Sequence, residues 1–385
     1  MNKTKIVSVM LLFALTLSAC RNNTADTSDT SDTSDTSADI SDISGTETEL
    51  TVYTESMATT EQVNDTTAPV LLSARNSVRL NVGDIFDANE YISYIDDYDS
   101  SPKLSLETEV DTTVAGTYET AIIVTDASGN RTRKSLTVRV VGEDESKSSP
   151  TPTPEGFTPT PTPSPTPTPV PETLSFDEFK SRFASDPSVE FGIDVSKWQG
   201  DVDYGAVKAA GCTFVIVKIG TYHKGEFVID AKFEENLTNA KAAGLKVGGY
   251  FYTPVTSEEV IRDNADKICE ALAGRTLDLP VAYDMEQWDR FQQYKISLIE
   301  LNELFYSFCE QLEQHGYSGM LYNSKNKLET VWDAKGRPVW LAHYSKETDY
   351  SGDYFMWQAS NVGRIDGING DVDLNVMYPG RYDNG

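Results

Sequence analysis

Apolar runs of strand length alternate with helix signals between residues 190 and 380, and this alternation limits the fold more strongly than any other feature of the chain. Eight such runs occur, from FGIDV (191–195) to VDLNVMY (372–378), and helix signals such as a Ser297/Glu300 capping box stand between them. Alternation of this kind predicts a parallel sheet. Because little helix separates the last runs, we expect a barrel that lacks some of its helices.

The segment LPVAYDMEQWD, residues 279–289, ends its apolar run on two acids, Asp284 and Glu286. Strand residues two apart point to the same side, which puts their Cα atoms about 6.5–7 Å apart. Two carboxyl groups in a poorly solvated barrel mouth repel, so we expect their pKa values to separate. Glycoside cleavage needs a proton donor beside a carboxylate that stabilises the positive sugar. In a chain with 60 acidic residues, the pair alone is a weak signal.

Other acids are candidates for the same site, because the active sites of such barrels lie at the carboxyl ends of the strands. Asp194 lies near the end of the first predicted strand. Asp371 and Asp373 lie near the start of the last one, and they fit the rule only if that strand runs in the opposite direction.

Aromatic residues form a second group of candidates for the site. Seven lie at or near predicted strand ends and an eighth follows the acid pair, and flat rings of this kind pack on the C–H faces of sugars. For any single one of them, a place in the core is the commoner alternative. The candidates are Trp198, Tyr250, Tyr252, Trp288, Tyr322, Trp340, Tyr344 and Trp357.

Five blocks resemble glycoside hydrolase family 25: FGIDVSKWQG, GLKVGGYFY, YDME, VWLAHY and WQASNVGRIDGINGDVDLN. The resemblance covers residues 190–380 and implies a modified TIM-like α/β barrel of five β/α units plus three strands. It also implies a lysozyme of the muramidase type, which cleaves the β-1,4 bond between N-acetylmuramic acid and N-acetylglucosamine in peptidoglycan.

The same resemblance implies roles for the acids. Glu286 would be the general acid/base, with Asp284 as its partner, holding the acetamido group of the substrate as that group attacks. Asp194 and Asp373 would line the same cleft and set its charge. The chain departs from the family pattern at Gly220-Thr221-Tyr222 and at Tyr250-Phe251, which bears on the choice of substrate rather than on the reaction.

Residues 1–19 have the pattern of an export signal, because Lys3 and Lys5 precede an apolar run too short for a permanent membrane span. The run ends in LSAC, which resembles the lipobox of bacterial lipoproteins and implies a lipid on Cys20. The alternative is an ordinary signal peptide that happens to contain a cysteine. A lipid anchor would place the protein on the extracellular side of the bacterial cytoplasmic membrane, reaching into the cell wall.

The remaining segments differ sharply in composition. Residues 20–67 form an acidic Ser/Thr/Asp tether that we expect to be disordered, since residues 21–66 carry eleven Asp and Glu against one Arg. Residues 68–142 are β-rich and resemble bacterial immunoglobulin-like modules, which implies a small all-β sandwich that acts as a spacer, our preferred interpretation, or binds glycans. Residues 143–172 form a Pro/Thr-rich linker, and the alternating Pro and Thr of residues 148–171 favour a stiff arm of roughly 70 Å that separates its neighbours. Residues 173–385 would form the catalytic domain.

Composition excludes some partners. The net charge of −28 argues against nucleic acid, which needs clustered Lys and Arg. Cys212, Cys269 and Cys309 lie in apolar or helical contexts, so we expect buried thiols rather than reactive ones. The three histidines share no ligand spacing, and we expect no metal and no other cofactor.

The sequence therefore predicts a monomeric, membrane-anchored lysozyme of the cell surface that acts on peptidoglycan. The first alternative is a catalytically inactive surface lipoprotein that binds cell-wall glycan. A chitinase-like glycosidase is a second alternative, although the longer D-x-x-D-x-D-x-E motif of that family is absent.

Overall fold

The computed structural model describes residues 64–142, 173–254 and 257–381. The predicted export signal, Cys20, nearly all of the predicted acidic tether and the Pro/Thr-rich segment lie outside these residues. Within the described ranges, no helix is both long enough and apolar enough to cross a membrane.

The first described domain, residues 64–142, is a small all-β module, as its sequence predicts. One sheet has the strand order β2-β6-β5-β4, and β1 pairs with β3 in a second sheet. Alternate residues such as Val78, Leu80, Ile122 and Val124 are buried and form its core. Its strands are β1 (Val70–Ala74), β2 (Ser77–Asn81), β3 (Ile92–Ile95), β4 (Lys103–Leu106), β5 (Gly116–Thr125) and β6 (Arg131–Val141).

The second domain, residues 173–381, contains the predicted alternation of strands and helices. Its elements are, in order, β7 (Leu174–Ser175), α1 (Phe176–Ser181), β8 (Glu190–Val195), α2 (Tyr204–Ala209), β9 (Phe214–His223), β10 (Glu226–Ile229), α3 (Phe233–Ala242), β11 (Lys246–Tyr252), α4 (Glu258–Leu272), β12 (Val281–Asp284), α5 (Leu298–Gln314), β13 (Gly319–Ser324), α6 (Lys325–Thr330), β14 (Val339–Ala342), β15 (Met356–Arg364) and β16 (Val372–Met377).

Eight of these strands close into a barrel in the order β8-β9-β11-β12-β13-β14-β15-β16, with β16 returning to β8. The pairs from β8 to β15 are parallel, whereas β16 is antiparallel to both of its neighbours. A helix follows each of the first five barrel strands and none separates the last three. The prediction of five β/α units plus three strands is therefore confirmed.

The barrel has two apolar layers. Inside it, Phe214, Met320 and Trp340 belong to one buried apolar cluster. A larger cluster fills the space between the strands and the surrounding helices, and it includes the three cysteines of the described residues, all of them free and buried as predicted: Cys212, Cys269 and Cys309.

The β module packs directly against the barrel domain. Ile92 and Tyr94 of β3 face the module's own core, whereas Ile95 belongs to the core of the barrel domain. The Phe291 N–H donates to Ser93 Oγ at 3.1 Å, and Lys327 Nζ donates to the Leu72 carbonyl at 2.7 Å. The expectation that a stiff arm separates the two domains is thus corrected, because β3 buries one of its faces on the barrel domain.

Candidate active site

Strand β12 carries Asp284 at its carboxyl end, and Glu286 follows two residues later. Ala282 contributes to the barrel interior, while Tyr283 and Met285 are fully buried in the layer beneath the helices. Alternation therefore directs Asp284 into the mouth of the barrel. Glu286 lies past the end of the strand and is exposed at the mouth.

Asp284 is only 6% exposed, and its Oδ1 has no hydrogen-bond partner in the described structure. Burial, followed by the charge of Glu286, holds the pKa of Asp284 well above its ordinary value. Partial desolvation by the cleft wall also raises the pKa of Glu286. Both carboxyl groups therefore keep a proton to higher pH than free acids do.

Asp194 and Asp373 meet on the other side of the mouth. They are paired residues in the antiparallel ladder of β8 and β16, so the reversed direction of β16 brings the start of this strand to the carboxyl edge of β8. Burial, then the charge of Asp194 and a hydrogen bond to it, raise the pKa of Asp373 to about 9. Asp373 consequently holds the proton of the pair and donates it in that hydrogen bond.

Two side-chain amides hold Asp194 in place. Asn375 Nδ2 donates to Asp194 Oδ2 at 2.7 Å, and Gln358 Nε2 donates to the same oxygen at 2.9 Å. Burial raises the pKa of Asp194, while these bonds and the one from Asp373 act to lower it. Asp194 is thus the carboxylate of the pair that is best suited to stay ionised.

The amides are oriented in turn by aromatic side chains. Trp340 Nε1 donates to Asn375 Oδ1 at 2.8 Å. The hydroxyl groups of Tyr322 and Tyr344 both donate to Gln358 Oε1, at 2.8 Å and 3.0 Å. The oxygen of each amide therefore already accepts a hydrogen bond, and the N–H group of the amide faces Asp194. This arrangement fixes the orientation of both amides.

Lys218 of β9 supplies a positive charge beside these acids. Its Nζ lies 5.5 Å from the ring centroid of Tyr250 and 5.2 Å from that of Tyr252. The charge of Lys218 acts to lower the pKa of both Asp284 and Glu286, against the effect of burial. The site thus combines four carboxyl groups with the cation of Lys218.

Comparison with known proteins identifies the family. Residues 193–368 match the family profile described as glycosyl hydrolases family 25, and residues 70–140 match that of a bacterial surface protein, Ig-like domain. Lysozyme M1 of Streptomyces globisporus is 32% identical over 208 residues, which cover 50% of this chain and 68% of that protein. The chain belongs to glycosyl hydrolase family 25.

Other relatives match a similar share of this family 25 chain. The autolytic lysozyme of Clostridium acetobutylicum is 27% identical over 192 residues, covering 49% of this chain and 56% of the relative. The crystal structure of the bacterial lysozyme from Streptomyces coelicolor aligns with a TM-score of 0.42 and 26% identity, covering 52% of this chain and 94% of that one.

The predicted aromatic residues of this family 25 hydrolase fall into groups. Trp198 follows β8 and is 80% exposed, and Tyr344 is 53% exposed. Tyr250 and Tyr252 are partly buried. Burial raises the pKa of each, and the charges of the nearby acids raise it further. All four residues keep exposed surface at or just beyond the carboxyl ends of β8, β11 and β14.

Tyr322 and Trp340 are buried in the barrel interior below the acids, where they orient the amides instead of lining an open surface. Trp288 is half-buried, and its ring stacks on Phe291 with centroids 5.6 Å apart. Trp288 nevertheless lines a depression of about 780 Å³ that begins at Glu286 and extends to Tyr294.

Trp357 requires a correction. It precedes Gln358 on β15 and therefore points to the opposite face of the strand. Its ring is 3% exposed and packs against Phe183 in the layer outside the barrel, and Nε1 donates to the His343 carbonyl at 2.8 Å. The structure does not bring Trp357 to the cleft.

Sequence reasoning missed Lys218, Gln358 and Asn375. Lys218 has the same strand parity as the inward-facing Phe214 and Ile216, which is a signal that could have indicated its direction. For the two amides, the only signal was their position within the matching blocks WQAS and VDLN.

Proposed function

We propose that this protein is a lysozyme that cleaves the β-1,4 bond between N-acetylmuramic acid and N-acetylglucosamine in peptidoglycan, with Glu286 as general acid and base. The observation that carries the proposal is the position of Glu286. It is an exposed carboxyl group with a raised pKa, and it stands at the barrel mouth beside the buried Asp284. The resemblance to Lysozyme M1 and to an autolytic lysozyme supports peptidoglycan as the substrate.

In the first step, Glu286 gives its proton to the leaving oxygen while the bond from that oxygen to the sugar C1 breaks. The unpartnered Oδ1 of Asp284 accepts the N–H of the 2-acetamido group, so that the acetamido oxygen is aimed at C1. That oxygen attacks C1 and closes a positively charged oxazolinium ring. Asp284 has to be ionised for this role. In the free enzyme burial and the charge of Glu286 hold its pKa well above the ordinary value, so its ionisation relies on the opposing charge of Lys218 and on the N–H that the bound substrate donates.

In the second step, water attacks C1 and opens the ring. Glu286, now a carboxylate, takes one proton of that water and returns to its starting state. Asp194, held in place by its two supporting amides, supplies fixed negative charge at the same mouth, which stabilises the positive sugar.

The test compares the full chain with Glu286→Gln and with the control Glu270→Gln, which changes an exposed residue of α4. On defined peptidoglycan we expect the wild type and the control to release reducing ends at similar rates. Loss of a general acid should slow Glu286→Gln by about 10²–10⁴-fold while its fold is kept.

Mass spectrometry of the products decides among the alternatives. Muramic acid at the new reducing end supports the proposal, whereas N-acetylglucosamine there supports a chitinase-like specificity. Retention of the wild-type chain on insoluble cell wall without any released fragments would support the inactive glycan binder and overturn the proposal.

We also propose that a lipid on Cys20 anchors the enzyme at the outer side of the cytoplasmic membrane. The support is the LSAC motif after an apolar run, which lies outside the described residues. We expect the wild-type protein in the membrane fraction and Cys20→Ser in the soluble or secreted fraction. A Cys20→Ser variant that stays membrane-bound would contradict the anchor.

A further inference from the structure

Three carboxyl groups of the β module converge at its junction with the barrel domain. Asp65 precedes β1, and Asp96 and Asp97 follow β3 directly. One carboxylate oxygen from each of the three lies within 4.8 Å of the other two. The cluster is therefore assembled from two separate segments of the chain.

The central member of this cluster is buried with an oxygen that bonds to nothing. Asp96 is 1% exposed, and its Oδ1 accepts the N–H groups of Tyr98 and Asp99 at 3.2 Å and 2.8 Å. Its Oδ2 is buried and has no hydrogen-bond partner in the described structure, and the same is true of Asp97 Oδ1. Buried carboxylate oxygens without a partner are costly, and a bound cation satisfies them.

Negative charge collects around this cluster, because the charges of Asp97 and Asp126 both act on Asp96. Among the described residues, no Lys or Arg forms an ion pair with Asp65, Asp96 or Asp97. The negative charge collected here is therefore not neutralised by a described side chain.

The surrounding frame is held in place. Asn130 donates through its backbone N–H to Asp126 Oδ1 and through Nδ2 to Asp126 Oδ2, both at 2.8 Å. Asn130 Nδ2 also donates to the Asp65 carbonyl at 3.2 Å. The β5–β6 turn thus ties Asp65 to the module.

We propose that Asp65, Asp96 and Asp97 bind one calcium ion. Calcium takes oxygen ligands at about 2.3–2.6 Å in irregular geometry, so one ion can contact carboxylate oxygens that lie within 4.8 Å of one another. Magnesium requires a tighter octahedron at about 2.0–2.1 Å, and zinc prefers nitrogen and sulfur ligands, which the cluster does not offer.

The ion would also stiffen the contact between the two domains. The carbonyl of Asp96 accepts the N–H of Leu298 at 2.7 Å, and the carbonyl of Asp97 accepts that of Ile299 at 3.3 Å. These two N–H groups belong to the first turn of α5. A calcium ion that fixes Asp96 and Asp97 would therefore fix the start of this helix, and this role does not depend on the proposed reaction.

Isothermal titration of the calcium-free full chain with CaCl₂ tests the site. We expect one saturable site with a dissociation constant of about 10⁻⁴–10⁻³ M, as in other extracellular modules, and no comparable site for MgCl₂. Asp96→Asn and Asp97→Asn should each weaken calcium binding at least tenfold. The control Glu109→Gln removes one exposed charge of the same module and should bind as the wild type does.

The acidic segment before the β module is present in all four proteins, so any weak calcium binding by that segment contributes equally to each titration. Hydrogen exchange gives a second readout, in which calcium should slow exchange at Leu298 and Ile299 in the wild type but not in Asp97→Asn. The proposal is overturned if the wild type shows no saturable calcium site, or if both Asp variants bind calcium as tightly as the wild type.

Discussion

Asp373 donates a hydrogen bond to Asp194 across the antiparallel pairing of β16 with β8, and burial together with the charge of Asp194 raises the pKa of Asp373 to about 9. This value lies far above the ordinary 3.8 of an aspartic acid. Between these two pH values the folded protein binds the proton that the unfolded chain releases. The contribution of Asp373 to stability is therefore complete at low pH and is lost as the pH rises towards 9.

Asp373→Asn should remove this pH dependence, because an amide donates to Asp194 without titrating. We expect the stability of the wild type to fall between pH 5 and pH 8 with a slope that is steeper than that of the variant by up to about 1.4 kcal/mol per pH unit. Urea unfolding followed by tryptophan fluorescence measures this slope for the barrel domain, since all five tryptophans lie there. Asp366→Asn, at an exposed position, is the control, and equal slopes for Asp373→Asn and the wild type would refute the assignment.

Gln358 connects Asp194 to two tyrosines, so Gln358→Leu should disturb both the fold and the acid. The buried Tyr322 hydroxyl loses its acceptor, which we expect to cost about 1–3 kcal/mol of unfolding free energy. Asp194 loses a hydrogen bond that acts to lower its pKa, so its pKa should rise. Unfolding in urea and the pH dependence of kcat/KM measure the two effects, and the exposed Gln314→Leu should change neither.

Lys218→Met should move the pH profile of the enzyme upwards. The charge of Lys218 acts to lower the pKa of Glu286 and of Asp284, so its removal lets both groups keep their protons to higher pH. If Glu286 is the general acid, both limbs of the plot of kcat/KM against pH should shift to higher pH. Lys346→Met, in an exposed loop position, should leave the profile in place. A shift to lower pH in Lys218→Met would contradict this electrostatic role.

Ser93 should stabilise the barrel domain although it belongs to the β module. Its Oγ accepts the Phe291 N–H at 3.1 Å, and Ser93 is 1% exposed. Ser93→Ala leaves that buried N–H unpaired, at an expected cost of about 1–3 kcal/mol. Tryptophan fluorescence during urea unfolding should register this loss, and the exposed Ser77→Ala should show none. An unchanged barrel transition in Ser93→Ala would mean that the two domains unfold independently.

The main features of the barrel follow from the sequence because strand and helix periods are local signals. The position of Asp373 was predictable only on the condition that the last strand reverses, and the pairing of Asp194 with Asp373 meets that condition. Gln358 and Asn375 could not be recognised in the same way. They are neutral amides on β15 and β16, and their role appears only when these strands bring both of them onto one oxygen of Asp194.

The contact between the domains was not predictable for a similar reason. Ser93 and Ile95 occupy alternate positions of a short apolar strand. The sequence of a strand that is buried on both faces does not show which element covers each face. The carboxyl cluster of Asp65, Asp96 and Asp97 also joins distant segments, so the spacing of residues along the chain gave no indication of it.

Trp198 and Trp357 should give opposite results on substitution, although the sequence made them equal candidates. Trp198 is 80% exposed, so Trp198→Ala should change the unfolding free energy by no more than about 0.5 kcal/mol. It should raise KM for peptidoglycan, because a flat ring at the rim after β8 is lost to the sugar chain. Trp357→Phe removes the hydrogen bond to the His343 carbonyl in a buried layer, so it should lower stability by about 1–3 kcal/mol and leave KM unchanged. An increase of KM in Trp357→Phe without one in Trp198→Ala would show that the substrate does not run along the rim after β8.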